Sequence, residues 1–396
     1  MSGIPPPPAP THLLRAHLAP VSALWFSEDN ERLYSGDSKG HVVVTSTRSL
    51  RPLAQWQAHN DGILGIEEWN GQTITHGRDN KLHVWSLVKD AATTVGESAA
   101  TPGLSSPALR YSMDVNALNY CRFSLMQSGD DRDSAFVALP NLLESSMADI
   151  WELPSQKRIH AAVGKREQPT SSDGRGPNPI GIIMSMQLLY GPPPDDSSRR
   201  QLRLLCAYEN GSVTLRQYTR GDQPSIEGTG WESVWTAKLH VESVMAMAVS
   251  NNGAFALTVS ADHLIGRYDL LGSEDISRTS SATRMKNPGN GSLAIRDDGR
   301  VCAVGGWDGK VRLYSTKSLK PLGTLDYHKA SCQAVAFARY TGESPAGRAT
   351  EGGSEDLEDS EDEMSPDEKV DRRRWLAVGS QDNRVSIWCL ISFGRG

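Results

Sequence analysis

The strongest constraint on this chain is a repeated unit. A run of small residues ends in Asp, and an aromatic residue follows six positions later, after alternating apolar residues. The clearest copy runs through THGRDNKLHVW, with Asp79 and Trp85, and is led by His59. The same ending recurs in SADHLIGRY (Asp262, Tyr268), GGWDGKVRLY (Asp308, Tyr314) and GSQDNRVSIW (Asp382, Trp388). Three copies are degenerate. SGDSKGHVVVT places Lys39 and Thr45 at the two positions, YENGSVTLR places Asn210 and Arg216, and DIWEL supplies Trp151 with no obvious turn Asp. A unit of about 40–45 residues with four short strands is the regular form of such a repeat, and it folds as blades around a ring. The strands alternate, as in Val21, Leu24 and Phe26 or Val244, Met247 and Val249. The pairs Asp308-Gly309 and Asn210-Gly211 suit tight hairpins, because small or flexible residues accept positive φ.

The seven endpoints are 45, 85, 151, 216, 268, 314 and 388, and most spacings exceed the regular unit. Insertions account for the surplus. Residues 89–110, 164–179, 191–200 and 341–372 are small, polar, Gly/Pro/Ser-rich or charged. The leading His precedes the turn position by 22 residues from His17 to Lys39, 20 from His59 to Asp79 and 22 from His240 to Asp262, but by 54 from His328 to Asp382. The excess places the 341–372 insertion inside the last blade. The domain reading is therefore a disordered Pro-rich tail at 1–10 and one propeller over 11–396, with a disordered acidic loop at 341–372.

Charge supports that division. The chain carries 41 basic and 47 acidic side chains, a net charge of -6. Ten carboxylates and no Lys or Arg lie within 351–368, so the remainder is mildly basic. That balance is far from the basic bias of a dedicated nucleic-acid binder, and no direct nucleic-acid binding is expected. No run of about 18 apolar residues is present, so no transmembrane helix and no membrane partner is expected. MSGIPPPPAPTHLL lacks the pattern of a signal peptide. The five cysteines stand at least 30 residues apart, which fits reduced thiols inside the cell and argues against a disulfide scaffold or zinc finger.

The repeats resemble WD repeats, which implies an all-β, seven-bladed WD-repeat β-propeller. The resemblance also implies a buried tetrad in each regular blade: a His before the first strand, a hydroxyl in the second, a turn Asp and a Trp in the third. His59, Thr75, Asp79 and Trp85 match it fully. His240, Thr258 and Asp262 match with Tyr268 in place of Trp. His328, Asp382 and Trp388 match, with Val378 at the hydroxyl position. The chain's last repeat ends in a third strand, and Thr11–Arg15 is expected to supply the fourth and close the ring, removing both sheet edges.

A closer resemblance rests on ITHGRDNKLHVW (74–85), VNALNYCRFS (115–124) and ALPNLLESSMADIWELPS (138–155). These runs are similar to the ASTRA-associated WD-repeat family, whose animal relatives are called guanine nucleotide-binding protein β-subunit-like proteins. The second and third runs lie in a degenerate blade, where generic WD similarity does not produce them. The resemblance implies a non-enzymatic subunit of the ASTRA complex. Its implied partners are the other ASTRA subunits, RuvB-like ATPases and the co-chaperones that mature phosphatidylinositol-3-kinase-related kinases. It implies a nuclear role linked to chromatin, with the cytoplasm as a second location.

No catalytic, cofactor or metal constellation emerges. Gly36-Asp37-Ser38-Lys39-Gly40 matches G-x-S-x-G, but it lies in a hairpin turn, whereas a nucleophile elbow needs a strand-to-helix turn. His76 and His83 flank the best repeat without further ligands at metal-binding spacing. Ser360, followed by Glu361, Asp362 and Glu363, suits an acidophilic kinase, and its phosphate would be read by Lys/Arg pockets of adaptor domains. Arg78, Asp37 and Trp307 are irregular residues beside the turns and are expected as partner contacts. Alternatives to the ASTRA reading are a histone-tail reader and a G-protein β-like signalling propeller. The second lacks the N-terminal coiled coil, because residues 1–16 show no heptads.

Overall fold

The computed structural model describes residues 9–88, 104, 106–128, 133–165, 180–192, 200–221, 223–271, 279–340 and 366–391. Twenty-eight strands, β1 to β28 in chain order, form seven four-stranded antiparallel sheets. Six sheets take their strands in chain order, over residues 21–57, 63–114, 124–163, 183–238, 244–284 and 290–326. These are blades 1 to 6. Blade 7 combines β26 (Cys332–Phe337), β27 (Trp375–Ser380) and β28 (Val385–Cys389) with β1 (His12–Leu14) from the start of the chain. β1 pairs with β28 through His12↔Ile387, Leu13↔Ser386 and Leu14↔Val385. Every endpoint of the repeat falls in the third strand of a blade.

The period of two decides the packing. Successive side chains of a strand face opposite neighbours. Leu33 packs with blade 7 residues Ala377 and Ile387, while the next residue, Tyr34, packs with Ile63 and Ile66 of blade 2. Each of the seven blade–blade interfaces is one buried apolar cluster of this kind. The cluster joining Val21, Leu24 and Phe26 to Trp375 and Val385 closes the circle. Buried apolar surface contributes roughly 25 cal/mol per Å², so closure adds a full interface as well as removing two edges.

The first strands of the blades pack against one another round the axis. In six blades this strand carries a bulge at its second residue: Ser22, Leu64, Met184, Met245, Gly291 and Gln333. A bulge bends the strand and re-aims one side chain.

Most residues of the four insertions lie outside the described residues, and their described ends differ from expectation in two places. Leu109 and Arg110 belong to the strand Leu109–Asp114 rather than to the 89–110 insertion. Pro366–Arg372 is a helix, where a disordered loop was expected through 372. Arg372 explains its seat: its guanidinium lies 4.4 Å from the Trp375 ring centroid and its Nε donates to the Thr47 carbonyl at 3.4 Å. Residues 1–8, 89–103, 105, 166–179, 193–199 and 341–365, with Ser360 among them, lie outside the described residues. No helix among the described residues is long and apolar enough to cross a membrane.

Candidate functional site: tetrads and the channel mouth

Among the described residues, four His–Asp pairs stand at the strand ends and loops on one face of the ring. In blade 2, His59 Nδ1 lies 2.8 Å from Asp79 and Nε2 2.8 Å from Thr75 Oγ1, while Trp85 Nε1 donates to the same hydroxyl at 2.8 Å. In blade 5, His240 lies 3.0 Å from Asp262 and 2.8 Å from Thr258, whose hydroxyl reaches the Tyr268 hydroxyl at 3.4 Å. In blade 7, His328 lies 2.9 Å from Asp382. Its hydroxyl partner is Ser386 at 2.8 Å, which also accepts from Trp388 Nε1 at 2.9 Å. Ser386 is the cross-strand partner of Val378, so the hydroxyl has moved one strand outward while keeping the same face.

The fourth pair is in blade 1 and corrects one expectation. Asp37 was expected as a partner contact. It is 2% exposed and lies 3.0 Å from His17, whose Nε2 meets Ser35 Oγ at 2.7 Å. Asp37 also accepts from the backbone N–H groups of Lys39 and His41. Burial alone would raise its carboxyl, but these bonds hold it below the usual carboxylate range. A signal existed in the sequence. Counted from its His, Asp37 stands 20 residues on, as Asp79 does from His59. Counting from the aromatic missed it, because Val43 occupies that position.

These groups are structural in their chemistry. Burial lowers the His59 and His240 imidazoles despite their Asp partners, so they stay neutral at neutral pH. His17–Asp37–His41 and His59–Asp79–His83 each bring three ligand-type atoms within 4.8 Å. Both ring nitrogens of His17 and of His59 already serve the tetrads, so a cation would have to break those bonds. His83 stacks on His59 at 4.5 Å between centroids. His76 is fully buried beside Phe123, with no hydrogen-bond partner for either ring nitrogen among the described residues, and burial pushes it down to about 3.

The mouth of the central channel on this face is a cavity of about 520 Å³. Five of the six bulged residues line it: Ser22, Leu64, Met245, Gly291 and Gln333. No spacing signal in the sequence marks the bulges. Arg78 and Trp307 also line the mouth, and Asp308 beside Trp307 is held by Arg312. Trp307 is half exposed and lies over Gly291, where a Cβ would meet its Nε1 at 2.9 Å. The other end of the channel is wider, about 830 Å³, and includes Trp25, Glu67, Arg122 and Arg339. Arg122 pairs with Glu67 at 3.1 Å, and Arg339 pairs with Asp297 at 3.8 Å while covering Trp25 at 4.0 Å. What the described geometry offers is a rigid ring with shaped mouths, suited to binding.

The family described as WD domain, G-beta repeat matches residues 8–45 and 291–315. The chain is 34% identical to ASTRA-associated protein 1 of Verticillium alfalfae, over 97% of this chain and 93% of that protein. It is 32% identical to ASTRA-associated protein 1 of Aspergillus flavus, over 97% of each. It is also similar to mouse guanine nucleotide-binding protein subunit beta-like protein 1, 25% identical over 98% of this chain and 97% of the relative. The propeller and these likenesses point to a non-catalytic interaction scaffold.

Proposed function

The chain belongs to the ASTRA-associated protein 1 family, and from that premise we propose that it is a subunit of an ASTRA-type assembly. In this reading it acts in the nucleus, in chromatin remodelling and in maturation of phosphatidylinositol-3-kinase-related kinases with RuvB-like ATPases and their co-chaperones. The observation that carries the reading is similarity to proteins named for that association over 97% of this chain. A propeller whose His–Asp tetrads are internally hydrogen-bonded supports it, because such a ring holds loops in fixed positions. The acidic insertion fits as a second contact element: phosphate on Ser360 would add charge and acceptors for a basic adaptor pocket.

Acute depletion of the chain tests the reading. Steady-state levels of phosphatidylinositol-3-kinase-related kinases fall if it serves their maturation, and unchanged levels would contradict that role. Within the same cells, Ser360→Ala protein loses the adaptor if the phosphate is read; equal recovery of the adaptor would remove Ser360 from the account.

A further inference from the structure

Two neighbouring loops on the tetrad face hold apolar side chains out in water. The first, at residues 115–120, leads from blade 2 into blade 3, and the second, at residues 141–147, joins the second and third strands of blade 3. Leu118 is 80% exposed and Leu143 is 94% exposed, with Tyr120 and Leu142 about half exposed beside them. Single exposed leucines are ordinary, but four large apolar side chains on two adjoining loops form a patch.

The loops are not slack. Asn116, Asn119 and Asn141 are buried and spend their side chains on the backbone. Asn116 Nδ2 donates to Ser145 Oγ at 3.1 Å and to the Asn141 carbonyl, tying the loops together. Asn119 Nδ2 donates to the Ser145 carbonyl at 3.1 Å. The Asn116 and Asn141 side-chain oxygens accept from the N–H groups of Leu118 and Leu143 themselves, at 2.7 and 3.1 Å. Asn141 is anchored in turn on buried Asp149 at 2.9 Å. Buried amides that hold leucine backbones fixed while the leucine side chains face solvent resist the inward collapse that apolar burial favours. Holding them costs free energy in the isolated chain and lowers the ordering cost of binding.

Charge indicates what binds. The Arg78 guanidinium lies 4.2 Å from the Tyr120 ring centroid, at the edge of the patch. Arg78 makes no ion pair among the described residues, whereas Lys81 is paired with Asp114, and Glu144, the charged residue on the two loops, accepts from Ser146 Oγ at 2.9 Å. We propose that this patch docks an acidic amphipathic segment of a partner protein, with large aliphatic side chains against Leu118, Leu142 and Leu143 and a carboxylate on Arg78. The inference deepens the scaffold reading by naming its surface and the chemistry of its ligand.

The test uses purified full-length chain and a displayed library of random peptides of roughly 16 residues, long enough for several helical turns of anchors. Selection on the wild-type chain is followed by counter-selection on a Leu118→Ser/Leu143→Ser variant. Both residues are exposed, and an unchanged melting temperature verifies that variant's fold. The expected peptides combine two or more large aliphatic residues with Asp or Glu. Their affinity falls on the order of tenfold or more with Arg78→Glu, and Lys-containing versions recover binding to that variant. Peptides that bind wild type and the double-serine variant equally, peptides without carboxylates, or no selected binder would each overturn the proposal. Because the assay contains no cellular assembly, its failure is separate from failure of the ASTRA assignment.

Discussion

His328 Nε2 and Ser386 Oγ stand 2.8 Å apart, so blade 7 completes its tetrad with a hydroxyl from its third strand. Blades 1, 2 and 5 use Ser35, Thr75 and Thr258 of the second strand. The exchange works because Val378 and Ser386 are direct cross-strand partners on one face of the sheet. Ser386→Ala leaves the His328 and Trp388 nitrogens unpaired and destabilises the protein by about 1–3 kcal/mol. Transposing the pair, with Val378→Thr and Ser386→Val together, recovers most of that loss. Chemical denaturation of the three variants measures it, and equal stability of Ser386→Ala and wild type would refute it.

Blade 1 yields a second contrast. Asp37→Ala removes the carboxylate from His17 and from two backbone N–H groups, and lowers the melting temperature. Arg78→Glu, at the channel mouth, leaves the melting temperature within about a degree, as surface substitutions usually do. Differential scanning calorimetry separates the two. A tolerant Asp37 would return it to the class of surface contacts.

Closure of the ring depends on β1. Leu14 packs on the blade 1–blade 7 cluster, the His12 ring lies 5.5 Å from Trp375, and Thr11 N donates to the Ile387 carbonyl at 2.8 Å. Removing residues 1–16 exposes the β28 edge and takes away these contacts. The melting temperature then falls by on the order of a few degrees, and the truncated protein self-associates through its open edge. A truncated protein with wild-type melting behaviour would contradict this role of the strand.

Acid weakens the fold through its buried histidines. Burial holds His76 down to about 3 and His83 and His160 down to about 4. In the unfolded chain the same imidazoles titrate near about 6.5, so the unfolded state takes up protons first as pH falls. Stability is therefore full above about pH 6.5 and declines from there toward pH 3–4. Asp37 and Asp79, held below the usual carboxylate range, add a further loss in the acid limb. His76→Phe flattens the upper part of this decline. Identical pH profiles for His76→Phe and wild type would rule out His76 as a contributor.

Much of this architecture is legible in residue spacing. The distance from turn residue to aromatic located four third strands, degenerate copies of the same pattern located the other three, and the stretched distance from His328 to Asp382 placed the largest insertion inside the last blade, where it lies between β26 and β27. What escaped was the substitution of one atom's work by another residue. Ser386 replaces a hydroxyl expected at Val378, and Asp37 acts two positions before the one searched. Among the described residues blade 3 has no His–Asp pair, and it uses Asn116, Asn141 and Asp149 to organise the same corner. The bulges that shape the channel mouth depend on backbone register between strands, which no local pattern records. Leucines set outward on amide-braced loops read in one dimension as ordinary apolar positions.

The most direct measurement is affinity purification of the tagged full-length chain from cells that express it, with proteins identified by mass spectrometry. The account predicts that RuvB-like ATPases and co-chaperones of phosphatidylinositol-3-kinase-related kinases are recovered together with the chain in stoichiometric amounts. Recovery of the intact propeller without them would contradict it.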